Sequence, residues 1–236
     1  SGLFTSNKFK SAPVQICLKQ LKKKMKGKKM LAINAGNANA ATGKKGVSDA
    51  KKLIREISSL TDISTTQILP FSTGVVGQLL NVKSLSAAFS KCLKNLNKNS
   101  WEDFAKAIMT TDTKSKIVKL SLQVGSKKYH IVGIAKGVGM IEPNMATTLS
   151  YIFTDLKIPE LTLRKLHKKI CDKTFNAISI DGDQSPSDSS ILVATGSSEI
   201  DFKKHYKKIE KDIFTVFSKL SEKLVLDGEG STKLLN

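Results

Sequence analysis

The residue pattern predicts an α/β fold in which sheets are covered by helices in layers. Short β-prone apolar runs alternate along the chain with segments whose apolar residues recur at helical spacing. Val118, Leu120, Leu122 and Val124 alternate strictly, break at Gly125-Ser126 and resume at Tyr129 and Ile131, the pattern of a β-hairpin. The 236 residues, 40% of them hydrophobic, suffice for a sizeable core. Strand order is not legible in this pattern.

In chain order, residues 1–30 hold nine lysines and no acidic residue, and Lys22 to Lys29 read as a solvated helix end or loop. Met30-Leu31-Ala32-Ile33 is a short strand. Asn34 to Gly43 is a loop of small, turn-forming residues that can approach another backbone closely. Ser48 is placed to cap a helix whose buried face carries Ala50, Leu53, Ile54, Ile57 and Leu60. Ile68 to Phe71 leads into Ser72-Thr73-Gly74, which reads either as an ordinary helix entry or as an N–H and a hydroxyl equipped to hold an oxyanion. Ser100 heads a helix through Trp101, Phe104, Ala105 and Ile108, with Asp103 at the capping-box position. After the hairpin, Gly137, Gly139 and Pro143 make a constrained loop, and Leu149 to Phe153 is a buried strand. A tight loop therefore delivers Thr147 to the mouth of a strand, where it is either a rigidly held nucleophile or a plain strand-edge threonine. Pro159 opens a helix with Leu163, Leu166 and Ile170 inward. Ile191 to Ala194 is a strand, and Ile209, Ile213, Val216, Phe217, Leu220 and Leu224 line one face of a long helix.

Composition narrows the function classes. The net charge is +19, yet only Arg55 and Arg164 are arginines, and the aromatics (6%) do not interleave with the basic runs. Bidentate phosphate reading and base stacking both lack their residues, so a lysine-rich solvated surface is favoured over nucleic-acid binding. The positive field would still favour an anionic substrate. No run has the ~18 apolar residues of a membrane helix, and the first residues do not read as a signal peptide. Cys17, Cys92 and Cys171 are too far apart for a zinc site or a disulfide framework, which fits a reducing cytoplasm. His130, His167 and His205 are not at ligand spacing, so they are expected to be surface or structural, with no histidine-based triad. Asp181 and Asp183 invite a calcium reading, but the EF-hand glycine is missing and Leu192 stands where the bidentate Glu belongs. No metal is expected.

Lys136-Gly137-x-Gly139-Met140-Ile141-x-Pro143-Asn144-Met145-Ala146-Thr147 resembles the self-cleavage motif of the ornithine acetyltransferase (glutamate N-acetyltransferase, ArgJ) family. Other stretches agree, in order. Gly2 to Lys8 and Ser11 to Val14 are similar to "GxFTxNxxxAAPV", and Asn34 to Gly43 to "NSGNANAxTG". Ser72 to Gly77 resembles "STGVIG" and Met109 to Thr113 "MTTDT". Cys171 to Asp183 is similar to the region "TFNxISVDGDxSTND", and Asp227 to Lys233 to "GEGxTK". Members carry more chain at both ends, so a fragment is expected.

The resemblance implies a partial single domain over 1–236, with an N-terminal-nucleophile-like architecture of the ArgJ/DmpA kind. It implies self-cleavage between Ala146 and Thr147 into an α chain (1–146) and a β chain (147–236). Thr147 would then be the nucleophile, with Thr73 and Gly74 as the oxyanion hole and Thr110, Lys136, Thr147 and Glu229 as substrate-binding residues. The implied reaction moves an acetyl group from N-acetylornithine to glutamate without a cofactor, acetyl-CoA being a second substrate in bifunctional members. The implied assembly is an α2β2 heterotetramer. Two other readings stay open: another threonine N-terminal-nucleophile aminopeptidase or amidase, and a basic binding module.

Overall fold

The computed structural model describes residues 1–23, 27–97, 99–142 and 148–230. The elements in its first half are β1 (Gly2–Phe4), α1 (Ala12–Leu21), β2 (Met30–Asn34), α2 (Gly43–Ser59), β3 (Ile68–Ser72), α3 (Val82–Lys94) and α4 (Trp101–Ala107). There follow β4 (Lys116–Val124), β5 (Lys127–Lys136), β6 (Leu149–Thr154), α5 (Glu160–Cys171), β7 (Ser189–Ala194) and α6 (Tyr206–Leu226). The chain forms two compact units, Ser1–Ser6 with Thr111–Asn236, and Asn7–Thr110.

In the Asn7–Thr110 unit, β2 and β3 pair in parallel, from Met30 opposite Ile68 to Asn34 opposite Ser72. Parallel strands need a crossover, and α2 supplies it. Its inward residues Ala50, Leu53, Ile54 and Ile57 pack with Ile16 of α1, Ala32 and Ile68. Pro70 sits inside β3 and is tolerated because each strand of a two-stranded sheet has a free edge. Two local expectations are corrected. Helix α2 starts earlier than Ser48, with Thr42 at its N-cap position. Leu60 lies one residue past its end and is 52% exposed, since a C-cap residue no longer follows the helical stripe.

The larger unit is a mixed five-stranded sheet in the order β1-β7-β6-β5-β4. The expected hairpin is β4–β5, closed by Gly125-Ser126 with Gly125 at φ 60°. Strands β6 and β7 run parallel, joined through α5, and the remaining pairs are antiparallel. Helices α5 and α6 cover the sheet, giving the layered arrangement the pattern predicts. Ile209, Ile213, Val216, Phe217, Leu220 and Leu224 of α6 are all fully buried, as their spacing requires. Gly133, midway along β5, is what lets α6 lie so close. A Cβ there would run into Val216 Cγ1 and stand 2.8 Å from Leu220 Cδ1.

His167 is structural. Its Nε2 lies 2.9 Å from Ser190 Oγ and its Nδ1 3.0 Å from Ser1 Oγ, with the ring edge-on to Phe217. Burial pushes its pKa down to about 3. His130, by contrast, is exposed beside Asp155. Among the described residues no helix is long and apolar enough to cross a membrane.

Two outcomes are expected. Gly133→Ala lowers stability by about 1–3 kcal/mol through overpacking against the stiff Val216, read as a drop in the melting midpoint. Stability also falls with pH below about 6.5, because the unfolded chain binds a proton at residue 167 that the folded chain refuses. Unfolding free energies from urea titrations between pH 6.5 and 4.5 should fall by up to about 1.4 kcal/mol per pH unit from this group. A His167→Gln variant should show a shallower slope.

Candidate active site

Three strand ends meet at one end of the larger sheet. The register sets Lys136, the last residue of β5, opposite Leu149, the first of β6, and Leu149 opposite Ser189, the first of β7. The β5–β6 connection leaves this point through Gly137 (φ 147°) and passes Met140 at φ 54°, a left-handed conformation that costs a non-glycine residue energy. Neighbouring segments hold it there. The Gly137 N–H donates to Asp112 Oδ1 at 2.7 Å, and Val138 O accepts the Glu229 N–H at 2.6 Å. Asp181 accepts the Met140 N–H, and its Oδ1 accepts the Ile141 N–H at 2.9 Å. Ile180 N–H returns a bond to Ile141 O at 2.9 Å. The Asp181-Gly182-Asp183 stretch thus acts as a clamp on this loop, its carboxylate engaged by amides. Among the described residues no group of three His, Cys, Asp or Glu side chains is placed to hold a metal.

The expected nucleophile Thr147 and the expected cleavage pair Ala146–Thr147 lie outside the described residues. The next residue, Thr148, donates its N–H to Asp188 Oδ1 at 3.0 Å.

A buried charge cluster lies under this loop. Lys116 opens β4 with its side chain 2% exposed, and its Nζ bonds Asp112 Oδ1 at 2.7 Å and Asp227 Oδ2 at 2.6 Å. Lys136 Nζ stands 3.9 Å from Asp112 Oδ2, so each carboxylate oxygen of Asp112 faces a lysine. Burial pulls the Lys136 pKa below the ordinary lysine value and Lys116 adds to this, while Asp112 and Asp188 oppose it. Asp227 also accepts the Thr113 N–H at 3.1 Å, pinning the end of α6 to the segment before β4. Glu229 follows two residues later. A Cβ at Gly139 would stand 3.2 Å from Glu229 Oε2 and 3.3 Å from Asp181 Oδ2, a tight fit that either carboxylate would have to yield to by a few tenths of an ångström. Lys136 and Glu229, proposed from sequence as substrate contacts, thus both adjoin the 137–141 loop. The loop is entered from a desolvated ammonium and has a carboxylate against Gly139, groups of the two signs a small zwitterionic ligand needs.

Thr73, Gly74 and Thr110 belong to the Asn7–Thr110 unit. Thr73 and Gly74 follow β3 in a turn laced to the loop after β2, not in a helix entry. Thr73 N–H donates to Asn34 O at 3.1 Å, Val75 N–H to Gly36 O at 3.2 Å and Ala38 N–H to Val75 O at 2.9 Å. Ser72 Oγ donates to Asn34 Oδ1 at 2.7 Å. Gly74 has φ 125°, and a Cβ on it would lie 2.6 Å from Asn37 N and Gly36 O. Two of the small-residue stretches singled out in the sequence are therefore in backbone contact, which is why they are small. Thr110 is an exposed residue beyond α4.

Sequence reasoning passed over Lys116 and Asp188. The Asp112–Lys116 spacing was a faint signal for the first. Asp188 stands at the closing aspartate of the "TFNxISVDGDxSTND" stretch, a signal that gave it no role until the parallel pairing of β6 and β7 brought it to Thr148.

The sequence model of the ArgJ family matches residues 1–236. The arginine biosynthesis bifunctional protein ArgJ of Colwellia psychrerythraea is 40% identical over 249 residues, covering 100% of this chain and 59% of that protein. The protein of the same name from Pseudomonas fluorescens is 39% identical over 240 residues, covering 100% of this chain and 58% of that protein. The chain thus spans less than two thirds of the length of these relatives. Among solved structures, the arginine biosynthesis bifunctional protein ArgJ of Bacillus halodurans superposes with a TM-score of 0.54 at 31% identity, over 62% of this chain and 75% of that one. Ornithine acetyltransferase from Mycobacterium tuberculosis, complexed with ornithine, gives 0.50 at 23% identity over 63% of this chain and 76% of that one.

Removing the cation at the centre of the charge cluster should be severe. Lys116→Met leaves Asp112 and Asp227 buried without it and is expected to cost about 3–5 kcal/mol. Equilibrium urea unfolding measures this.

Proposed function

The chain belongs to the ArgJ family, and from that premise we propose that the protein is an acetyltransferase of arginine biosynthesis working through an acetyl-threonine at Thr147. The observation that carries the proposal is the buried Lys136 ammonium beside a clamped glycine loop that Glu229 also adjoins, in a chain the family matches throughout.

A threonine within a chain has no base of its own. In the proposed maturation the Thr147 hydroxyl attacks the Ala146 carbonyl, the amide bond gives way to an ester, and water cleaves the ester. The products are residues 1–146 and a chain that begins at Thr147. The freed α-amine, with a pKa of about 7.7–8.0, then accepts the hydroxyl proton. In the first half-reaction Thr147 Oγ1 attacks the acetyl carbonyl of N-acetylornithine. The C–N bond breaks and ornithine leaves with the proton. In the second, the glutamate amine attacks the acetyl ester and restores the hydroxyl. Thr73 and the Gly74 N–H are the proposed oxyanion donors, and losing one such donor costs ~10²–10³ in rate. Lys136 holds a substrate carboxylate, Glu229 the cationic end of the substrate, and Thr110 a further substrate contact.

No step draws on a cofactor. The bifunctional naming of the relatives accords with acetyl-CoA as a second acetyl source. An α2β2 assembly in the cytoplasm completes the proposal.

The test is an intact-mass spectrum of the full-length protein beside its Thr147→Ala variant, followed by an acetyl-transfer assay. Wild type should split between Ala146 and Thr147 while the variant stays whole, and acetyl should pass from N-acetylornithine to glutamate. A whole wild-type chain overturns the maturation. Release of free acetate without transfer assigns the protein to the amidase class instead.

A further inference from the structure

A buried carboxyl sits against Thr148, the residue that follows the expected nucleophile in the chain. Asp188 is 1% exposed and stands just ahead of β7. Its Oδ1 accepts the Thr148 N–H at 3.0 Å, and the next residue, Ser189, donates its N–H to Thr148 O at 3.0 Å. Both backbone polar groups of Thr148 are therefore taken by consecutive residues of a neighbouring segment. The Thr148 nitrogen belongs to the peptide that joins it to residue 147, so the carboxyl grips the bond immediately after the expected nucleophile. The other oxygen, Asp188 Oδ2, is buried with no hydrogen-bond partner among the described residues, as is Thr148 Oγ1.

This is an expensive way to satisfy one amide. A desolvated carboxyl costs more to bury than the backbone carbonyl of a regular ladder would. Burial pushes the Asp188 pKa well above the ordinary carboxylate value, with the Thr148 N–H, Ser185 and Lys136 working the other way. Local cost of this kind collects where a site needs a fixed geometry.

We propose that Asp188 is a positioning residue for both self-cleavage and acetyl transfer, fixing the backbone that carries Thr147 through its bond to the Thr148 amide. This rests on the reading of Thr147 as nucleophile. A hydroxyl that must meet a carbonyl carbon in line loses rate steeply when its backbone drifts, and a 1 Å error can cost on the order of a hundredfold. The same anchor serves both steps because the same hydroxyl attacks in both.

The experiment compares full-length wild type with Asp188→Asn, Asp188→Ala and Thr147→Ala. Self-cleavage is followed by intact mass over time, and transfer by separate kcat and KM values for N-acetylornithine. Asp188→Ala should slow cleavage and lower kcat by roughly ten- to a hundredfold, with KM changed by less than about twofold, because positioning acts on the transition state and not on substrate binding. Asp188→Asn keeps an oxygen acceptor for the Thr148 N–H in the same volume, so it should recover most of both rates and melt close to wild type. Wild-type cleavage in Asp188→Ala, a loss confined to KM, or an Asn variant as slow as the Ala variant each overturns the proposal. Cleavage that persists in Thr147→Ala removes the nucleophile reading itself, which separates that failure from a failure at Asp188.

Discussion

The Asp112–Lys116–Asp227 ion cluster is the constraint on which the rest of the candidate site depends. One fully buried lysine binds two carboxylates from segments far apart in sequence. Through Asp112 it reaches the Gly137 amide and faces Lys136. Through Asp227 it fixes the end of α6 and with it the start of the Gly228-Glu229 turn. Buried ion pairs are poor sources of net stability, since desolvation consumes most of the attraction. Their value here is in register: the cluster leaves the start of β4, the end of β5 and the end of α6 one arrangement in which every charge has a partner.

A second layer of constraint is steric. Gly133 brings α6 down on β5, Gly139 leaves room for two carboxylates, and Gly74 lets one loop touch the backbone of another. At Gly133 and Gly74 a methyl group would meet a stiff side chain or backbone, while at Gly139 it would crowd two carboxylate ends. The small residues are a packing requirement first, and the chemistry proposed for Thr73 and Gly74 depends on a turn that only small residues can make.

The β5–β6 connection combines both layers. Its backbone carries a left-handed methionine, and hydrogen bonds from its amides to the Asp112 and Asp181 carboxylates, and to its carbonyls from the Ile180 and Glu229 amides, oppose its relaxation. On the far side of the expected scissile bond, Asp188 and Ser189 take both polar groups of Thr148. The described residues on either side of the proposed scissile bond, 137–141 and 148, are thus each held, and a fixed approach is what an intramolecular attack requires.

The sequence by itself determined the elements and the chemistry-bearing motifs. Alternation at Val118 to Val124 and the stripe from Ile209 to Leu224 are periodic signals that depend only on neighbours along one strand or helix, so they survive into the fold unchanged. Lys136, Glu229, Thr73 and Gly74 were singled out differently, by the resemblance of short local motifs to those of a known family. Only the tertiary structure decided strand order, the division into two compact units and the surroundings of each charge. It buried Lys116 between two aspartates, set Asp188 against Thr148 and ended α2 before Leu60. These outcomes depend on contacts between residues distant in sequence, and a desolvated charge leaves no periodic mark in the chain that carries it.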